Sequence, residues 1–537
     1  MTIRKHFLLA CLAGFLAIPS HAETNLWQLA KDAAPVHRFA TLFTAQDVLH
    51  CLSTDSEIDV AMDWCKTSGI THVFLEEYRD GYKAERETLQ RARDRFQAAG
   101  FLVSGCVTTT LVGKPSTGWG PEVGCYTDQP TQARLQALFE YAASIFDEII
   151  VDDYFFCDCK CDQCDAARQA RTVTVGDKTY PVDSDSWGDY HRALMLHVAQ
   201  DRVLAAAKKI NPKVRLIIKY PQWYDAYQER GYDVAGETAS FDRIWSGTET
   251  RDYTNEVHWG GTTQYEGYFL MRWIGEIGGE KCGGGWYDSF GTSPPYYIEQ
   301  ARQTILAGAR ESLLFCYGAL NPDANSTVPP SMPWPTPTGG ADTAALRANL
   351  PELLSVAREV QRRQPVGIAA YKPINSPGGV DSRIFDYLGM IGLPLVPCHL
   401  FPTNAPGAFF SLQALQDPNL ASELKDYIKT GRPVLLTDAL DKILSPQLDL
   451  TAPNVQQANL PRPLDYLLVQ PQAVLDNFRA PLLNALHVGF SAPDQVALYL
   501  FSPDGWVVEN FNNHPVTAML NGQSFDIAAR NWVCHWK

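Results

Sequence analysis

The chain has 537 residues, enough for about two to four domains of ordinary size. Its content of 45% hydrophobic and 20% charged residues is typical of a globular protein with a large apolar core. The formal net charge of −15 disfavours nucleic acid and anionic membranes as partners, because phosphate binding needs clustered Lys and Arg. A neutral ligand such as a carbohydrate is compatible with this charge.

The first residues have the pattern of a secretory signal peptide, predicted over residues 1–22. Arg4 and Lys5 form the positive region, an apolar run follows, and a Ser-His-Ala sequence ending at Ala22 fits the cleavage rule. The apolar run is too short for a stable anchor, and no later segment is long enough to span a membrane. We therefore expect a mature chain that begins at Glu23 and is periplasmic or secreted.

Strand-like and helix-like segments alternate from about residue 36 to residue 322. Eight such units predict a closed (β/α)8 barrel over residues 23–325, with a doubly wound open sheet as the structural alternative. No glycine-rich phosphate loop follows the first strand, which argues against dinucleotide binding. The predicted strands are 38–43, 72–77, 101–108, 148–153, 215–220, 243–248, 284–288 and 312–317. The clearest predicted helices are 83–99, 131–146, 189–210 and 298–309.

Two smaller domains are predicted after the barrel. Residues 326–364 are interpreted as a Pro-, Gly- and Ser-rich linker followed by a helix over 343–363. Residues 365–475 have an α/β pattern, with strands 366–371, 395–398 and 433–437 and helices 382–389 and 421–429. Residues 476–537 are predicted to form a small antiparallel, sandwich-like β domain with strands 485–490, 495–501, 506–510, 516–520 and 531–535.

The ends of the predicted barrel strands are rich in carboxylates and aromatic side chains. Because the C-terminal ends of barrel strands meet at one mouth, we expect these residues to surround one site. The residues are Glu76, Glu77, Asp152, Asp153, Lys219, Tyr220, Trp223, Glu249, Arg251, Trp286, Asp288 and Tyr317.

A mouth lined by acids favours hydrolysis of a glycosidic bond, which needs two facing carboxyl groups. Neighbouring side chains of a strand point in opposite directions, so only one of Asp152 and Asp153 is expected to serve as a facing acid. Asp153 is predicted to be catalytic because it lies further along the strand. Its partner is Glu249 or Asp288. Arg251 is expected to lower the pKa of Glu249, and the aromatic residues before Asp288 to raise the pKa of that acid.

The other mouth residues are predicted to bind substrate. The charged ones, Asp152, Glu76, Glu77, Lys219 and Arg251, are expected to hold sugar hydroxyls, and the aromatic ones, Tyr220, Trp223, Trp286 and Tyr317, to line or stack on sugar faces. No cofactor is expected for catalysis. Two alternatives stay open: a carbohydrate-binding barrel without activity, and a metal-dependent hydrolase that uses the same acids as oxygen ligands.

A cluster of cysteines follows the fourth predicted strand. Cys159, Cys161 and Cys164 have the spacing C-x-C-x-x-C, and Cys157 lies two residues earlier. Thiolates at this spacing can surround one tetrahedral zinc, with Cys157 or Cys125 as the fourth ligand. An all-thiolate site has no open position, so such a zinc would be structural rather than catalytic.

Disulfide bonds are the alternative interpretation of the cysteines. Twelve cysteines remain in the predicted mature chain, and export favours oxidation. Cys51 and Cys65 flank a short loop and helix and could pair, and two cysteines of the cluster could pair with each other or with Cys125. The spacing alone leaves zinc and disulfide open.

With this cluster after the fourth strand, then an α/β domain and a small β domain, the chain resembles the β-galactosidases of glycoside hydrolase family 42. The resemblance implies a structural zinc at the cysteines and a glutamine-amidotransferase-like middle domain that mediates homo-oligomer contacts. That family has Asn and a catalytic Glu on strand four, where this chain has Asp152 and Asp153. It has a nucleophilic Glu on strand seven, where this chain has Asp288.

These differences indicate a divergent relative, a glycoside hydrolase for an oligosaccharide or polysaccharide-derived glycoside. Barrel glycosidases of another clan place their acids on strands four and six. That arrangement selects Asp153 with Glu249.

Overall fold

Eight parallel strands close into a barrel in the first part of the chain, as the sequence predicted. The computed structural model describes residues 25–252, 263–325, 339–458 and 470–537, so the predicted signal peptide and much of the predicted linker lie outside the described residues. Each strand pairs with its sequence neighbours, and β1 also pairs with β8, which closes the sheet. The strands are β1 (Arg38–Phe43), β2 (Ile70–Arg79), β3 (Leu102–Val107), β4 (Glu148–Val151), β5 (Arg215–Tyr220), β6 (Arg243–Gly247), β7 (Cys282–Asp288) and β8 (Glu311–Phe315).

Helices connect these strands on the outside of the barrel. Several begin with the capping residues that satisfy free backbone N–H groups, such as Thr44, Thr54 and Asp128. The helices are Leu26–Ala33, Ala45–Cys51, Asp55–Thr67, Arg86–Ala98, Gln129–Ala143, Asp162–Gln169, Trp187–Val198, Ala205–Ile210, Val234–Ser240, Gln264–Gly278, Pro294–Leu306 and Tyr317–Leu320. Smaller elements are the strands Tyr82–Lys83, Thr172–Val175 and Lys178–Pro181 and the π-helical segment Ala199–Leu204.

Side chains of each barrel strand alternate between the interior and the helical layer. In β5, Ile217 belongs to the interior cluster, whereas Leu216 and Ile218 pack in the outer core. By the same alternation Lys219 points into the barrel and Tyr220 points outward. This alternation decides which of the predicted mouth residues can meet.

A parallel five-stranded sheet forms the middle domain. Its order is Leu395–Cys398, Ile368–Tyr371, Ala408–Phe410, Val434–Thr437 and Val455–Ala458, and its helices are Ile384–Met390, Leu420–Lys429 and Asp438–Leu444. The strands Ala408–Phe410 and Val455–Ala458 had no sequence prediction. The long helix Gly340–Gln361 precedes this domain and packs against the barrel helix Pro294–Leu306.

Two antiparallel sheets form the C-terminal part, as predicted. One contains Gln364–Val366, Val496–Ser502, Gly505–Asn510 and Asn531–Trp536, and the other contains Phe490–Ser491, Val516–Leu520 and Gln523–Ile527. The prediction of a strand over 485–490 is wrong. The helix Gln472–Ala485, whose Leu475, Leu482 and Leu483 recur at helical spacing and are buried, ends where that strand was expected to begin. A turn follows, with His487 at a φ of 56°, and the strand starts only at Phe490.

None of the described helices is both long enough and apolar enough to cross a membrane.

Candidate active site

A buried ammonium lies among three carboxylates at the C-terminal mouth of the barrel. Lys219, on β5, donates to Asp153 Oδ2 at 2.7 Å and to Glu249 Oε1 at 2.5 Å, and it lies 3.6 Å from Asp152 Oδ1. Its Nζ also faces the Trp286 ring, 4.4 Å from the centroid. Burial acts to lower the pKa of Lys219, but the three carboxylates outweigh burial and raise it, so the ammonium stays charged.

Asp152 and Asp153 both reach Lys219, so strand alternation does not point the two side chains in opposite directions as the sequence suggested. β4 ends at Val151, and the two acids lie in the turn beyond it, where strand alternation no longer applies. Their exposure differs: the side chain of Asp152 is 5% exposed and that of Asp153 is 20% exposed. Asp153 is therefore the acid that is more open to solvent.

The two neighbouring aspartates have opposite pKa shifts. Burial raises the pKa of Asp153, Lys219 opposes this, and the charges of Asp152 and Glu249 add to it, which leaves a pKa of about 7. Burial acts in the same direction on Asp152, but Lys219 and Arg79 outweigh it and hold its pKa at about 2. Near neutral pH, Asp153 exchanges a proton while Asp152 stays ionised.

Arg79 fixes Asp152 and Glu76 in one network. Its Nε donates to Glu76 Oε2 at 2.8 Å, and its Nη2 donates to Asp152 Oδ2 at 2.9 Å and to Thr108 Oγ1 at 2.9 Å. The Thr108 hydroxyl lies within hydrogen-bond distance of both carboxylates, and the backbone N–H of Ala45 donates to Glu76. Charge-assisted bonds of this kind are strong, so these two acids are held in place.

Glu249 lies directly beyond β6 and folds back against its own strand. A Cβ at Gly247 would lie 2.2 Å from Glu249 Oε2, so a larger residue at this position would displace the Glu249 carboxylate. Burial raises the pKa of Glu249, although Lys219 and Arg251 oppose it. The expectation that Arg251 would lower this pKa is wrong in its net direction, because burial outweighs the nearby positive charges.

Arg251 pairs with the other candidate acid instead. Its Nε donates to Asp288 Oδ1 at 3.1 Å and its Nη2 to Asp288 Oδ2 at 2.6 Å, a bidentate pair in which both side chains are buried. The backbone N–H of Phe290 donates to the same carboxylate at 3.1 Å. Asp288 is therefore paired with an arginine and bound on both oxygens.

The spacing of Asp153 and Glu249 follows from their shared lysine. Since Asp153 Oδ2 and Glu249 Oε1 both bond to Lys219 Nζ, at 2.7 and 2.5 Å, they lie no more than about 5.2 Å apart, the sum of the two distances. Retaining glycosidases place their carboxyl groups about 5–5.5 Å apart, and inverting ones about 6.5–9.5 Å. The upper limit for this oxygen pair lies below the inverting range and is compatible with the retaining one.

Three predicted substrate-binding residues do not lie with this cluster, because strand and loop geometry turns them outward. Glu77 alternates with Glu76 and faces the helical layer, where burial raises its pKa well above the ordinary range. Tyr220 also points outward, and its hydroxyl lies 3.3 Å from Thr238 Oγ1. Tyr317 stacks on Phe43 in the outer core, with ring centroids 4.4 Å apart.

Trp223 lies on the rim of the barrel mouth, where Tyr232 connects it to the acids. Its ring centroid is 5.6 Å from that of Tyr232, whose hydroxyl donates to the backbone carbonyl of Asp153 at 2.7 Å. Sequence reasoning missed Tyr232 and Thr108. Thr108 follows β3 directly and could have been found by inspecting that strand end, whereas nothing in the sequence points to Tyr232.

Four cysteine sulfurs converge beside the mouth, in the loops after β3 and β4. The Sγ atoms of Cys125, Cys159, Cys161 and Cys164 all lie within 4.8 Å of one another. Three of the separations are 3.9, 3.6 and 3.6 Å. A tetrahedral zinc with bonds of about 2.3 Å places its sulfur ligands about 3.8 Å apart, so these residues fit a structural zinc that has no open position for substrate.

Cys125, and not Cys157, completes this group, which decides between the two alternatives for the fourth sulfur. Cys157 lies outside it, and its backbone N–H donates to the carbonyl of Arg230 at 3.0 Å. None of the twelve cysteines of the described residues is in a disulfide, so neither the possible pairing of Cys51 with Cys65 nor a disulfide within the cluster is present. A disulfide needs sulfurs about 2.05 Å apart, much closer than those of the cluster.

Comparisons with known proteins agree with the barrel. The family model described as "Probable glycosyl hydrolase, catalytic domain" matches residues 23–357. An uncharacterized protein of Saccharolobus solfataricus is 26% identical over 361 residues, which is 62% of this chain and 55% of that protein. The match therefore spans little more than half the length of that relative.

Solved structures share the fold over most of the chain. A β-galactosidase from Bacillus circulans sp. alkalophilus has a TM-score of 0.59 at 10% identity, covering 93% of this chain and 98% of that one. Alpha-L-fucosidase isoenzyme 2 from Paenibacillus thiaminolyticus has a TM-score of 0.58 at 11% identity, covering 90% and 88%. A catalytic mutant of a GH42 β-galactosidase from G. stearothermophilus has a TM-score of 0.56 at 10% identity, covering 93% and 97%. The predicted three-part fold is confirmed.

Proposed function

Because the chain belongs to the glycosyl hydrolase family whose catalytic-domain model covers residues 23–357, we propose that it hydrolyses O-glycosidic bonds in an oligosaccharide or a polysaccharide-derived glycoside. The observation that carries this proposal is the pair formed by Asp153 and Glu249. Their oxygens lie no more than about 5.2 Å apart on one lysine, at the mouth where barrel enzymes bind substrate.

We assign the acid/base role to Asp153 and the nucleophile role to Glu249. With a pKa of about 7, Asp153 is protonated in a large fraction of molecules at neutral pH and is the more exposed acid. It gives its proton to the leaving-group oxygen while the Glu249 carboxylate attacks the anomeric carbon and the glycosidic bond breaks. Asp153 then takes a proton from the water that attacks the anomeric carbon of the glycosyl–enzyme intermediate, and the bond between that carbon and Glu249 breaks. The sugar leaves with its configuration retained.

Lys219 supports both roles from one position. Its ammonium stabilises the ionised form of Glu249 and accommodates the charge that Asp153 acquires when its proton leaves. Asp152 and Asp288 are assigned to holding the site and sugar hydroxyls, because each is already bound to an arginine. Trp286 forms the apolar floor beneath Lys219.

The alternatives from the sequence are less well supported. In a metal-dependent hydrolase, Asp152, Asp153 and Glu249 would surround a cation, but the Lys219 ammonium already lies between them and would repel one. A binding protein without activity needs no acid with a pKa of about 7 near a second carboxylate. Export and a homo-oligomer through the middle domain stay predictions from the sequence.

The test is a screen of the purified protein against a panel of oligosaccharides, with matched variants. Asp153→Asn and Glu249→Gln should each lower kcat/KM on any accepted substrate by about 10²–10⁴-fold. Glu237→Gln is the control, because Glu237 is a buried acid in the helical layer outside the barrel, with a raised pKa.

Proton NMR of the first product formed should show retention of the anomeric configuration. An inverted product, or undiminished turnover in Glu249→Gln, would contradict the assigned pair.

A further inference from the structure

Three aromatic rings and an arginine form a cluster on the rim, in the loops after β3, β4 and β5. We call it the rim platform; its members are Trp119, Phe156, Trp223 and Arg230. The Arg230 Cζ lies 4.8 Å from the Trp119 ring centroid and 4.3 Å from that of Trp223. Phe156 meets both indoles edge-on, at centroid distances of 5.9 and 5.4 Å. The guanidinium is therefore held close to two indole rings.

Trp119 presents an indole surface to solvent. It is 47% exposed, and it is the only tryptophan among the strongly exposed large apolar side chains of the described ranges. Its neighbours in the platform are half-buried or buried, so Trp119 is the member of the platform most exposed to solvent. An exposed, supported indole face beside an active-site mouth suits the apolar C–H face of a sugar ring.

Arg230 offers hydrogen-bond donors that the protein does not use. No hydrogen bond or ion pair joins its guanidinium to another side chain or carbonyl within the described part of the chain. The nearby carboxylate of Asp158 accepts from Ser116 Oγ at 2.6 Å instead. A guanidinium presents a planar fork of N–H groups that matches a carboxylate or sulfate in two-point contact.

The rim platform lies on the side of the proton donor. Trp223 packs against Tyr232, and the hydroxyl of Tyr232 donates to the backbone carbonyl of Asp153 at 2.7 Å. Phe156 is three residues beyond Asp153 in the same loop. In the proposed reaction, Asp153 protonates the leaving oxygen, so a sugar on the platform is the leaving group.

We propose that the rim platform is a leaving-group subsite for a negatively charged sugar. The sugar ring stacks on Trp119, and its carboxylate or sulfate accepts N–H groups of Arg230. The assignment of the leaving-group position rests on the proposed function. The binding of an acidic sugar at the platform depends only on the geometry of the platform.

The cysteine cluster holds this platform in shape. The Thr117 hydroxyl, two residues before Trp119, accepts the backbone N–H of Lys160 at 2.9 Å within the cysteine loop. The backbone N–H of Cys157 donates to the carbonyl of Arg230 at 3.0 Å. The loop that carries Trp119 also contains Cys125, one of the four converging sulfurs. Both halves of the platform are thus tied to the cysteine loop.

The test is the equilibrium binding of free sugars to the full chain, measured by tryptophan fluorescence and by calorimetry. The probes are glucuronate, glucose 6-sulfate and glucose, which have no glycosidic bond for the enzyme to cleave. The wild type should bind at least one acidic probe about tenfold or more tightly than glucose, a difference of about 1.4 kcal/mol. The acidic probe that binds more tightly identifies the carboxylate or the sulfate as the natural group.

Variants separate the two parts of the platform. Arg230→Met keeps an apolar stem and should abolish the preference for acidic probes, and Trp119→Ala should weaken binding of all three. Arg86→Met is the matched control, because Arg86 lies over an aromatic ring, that of Tyr141 at 4.6 Å, on the outside of the barrel.

Arg230→Lys is a second test, since it keeps the positive charge without the planar guanidinium. It should retain only part of the preference for acidic probes. Equal binding of the three probes by the wild type, or an unchanged preference in Arg230→Met, would overturn the proposal. Absence of this preference in the wild type, together with Glu249-dependent hydrolysis of neutral glycosides, would reject the subsite and leave the proposed function intact. Conversely, an Arg230-dependent preference without any Glu249-dependent hydrolysis would reject the proposed function alone.

Discussion

Replacing Lys219 by methionine removes the positive charge that joins the mouth acids. Methionine has nearly the same length and fills the same space, so the change is mainly electrostatic. Asp153 and Glu249 each lose a donor, at 2.7 and 2.5 Å, and Asp152 keeps only Arg79 as a positively charged neighbour in direct contact. The variant therefore tests whether this lysine offsets the burial of the catalytic pair.

The expected loss of stability depends on pH. Removing one partner of a buried ion pair costs about 3–5 kcal/mol when the other partner stays charged. Lys219 lowers the pKa of both Asp153 and Glu249, so its loss raises both further. The folded state then binds more protons than the unfolded state above about pH 4, where unfolded carboxyl groups ionise. The free energy of unfolding therefore falls as pH rises through this window.

The measurement is urea unfolding followed by tryptophan fluorescence at pH 5 and pH 8. Relative to wild type, we expect Lys219→Met to lose less than about 2 kcal/mol at pH 5 and about 3–5 kcal/mol at pH 8. Lys208→Met is the control, because Lys208 pairs with Asp242 at 3.0 Å on the partly exposed outer face and should change stability by less than about 1 kcal/mol. A loss at pH 8 below about 1 kcal/mol, or equal losses at both pH values, would refute the reasoning.

Two further predictions concern catalysis and the cysteines. The value of kcat/KM should fall as pH rises above about 7, because Asp153 loses the proton that it donates. A pH–rate profile checks this, and Lys219→Met should move the alkaline limb upward; a profile flat from pH 6 to pH 9 would contradict the role. Metal analysis should find about one zinc per chain, lost in Cys159→Ser and Cys164→Ser and kept in Cys157→Ser. Equal zinc in all three variants would reject the four-sulfur site.

Much of the fold could be predicted from local patterns. The bounds of β1 and β5 agree with the sequence prediction, because apolar runs between turn residues are strong strand signals. The strand Ala408–Phe410 was missed because it has only three residues, too few for a pattern. The predicted strand over 485–490 was wrong, since the helix Gln472–Ala485 runs into a turn with His487 at positive φ, and the strand starts only at Phe490.

The candidate site was predicted in its residue types and only partly in its geometry. Asp153, Glu249 and Lys219 were all named from strand ends, and the structure brings them together. Glu77 and Tyr220 were named by the same rule but face the helical layer. Whether a side chain points into the barrel or toward the helices changes with each residue along a strand. The sequence pattern does not locate strand ends to within one residue, so it cannot decide this direction.

The sequence by itself determined the chemical inventory: acids at strand ends and cysteines at metal-binding spacing. Only the tertiary structure decided which of these side chains form ion pairs with one another. Arg251, two residues from Glu249, binds Asp288 on the next strand, while Lys219 joins Asp153 to Glu249 across three strands. Such contacts join residues far apart in the chain, so they depend on barrel closure and on the paths of the loops. Local spacing carries no information about either.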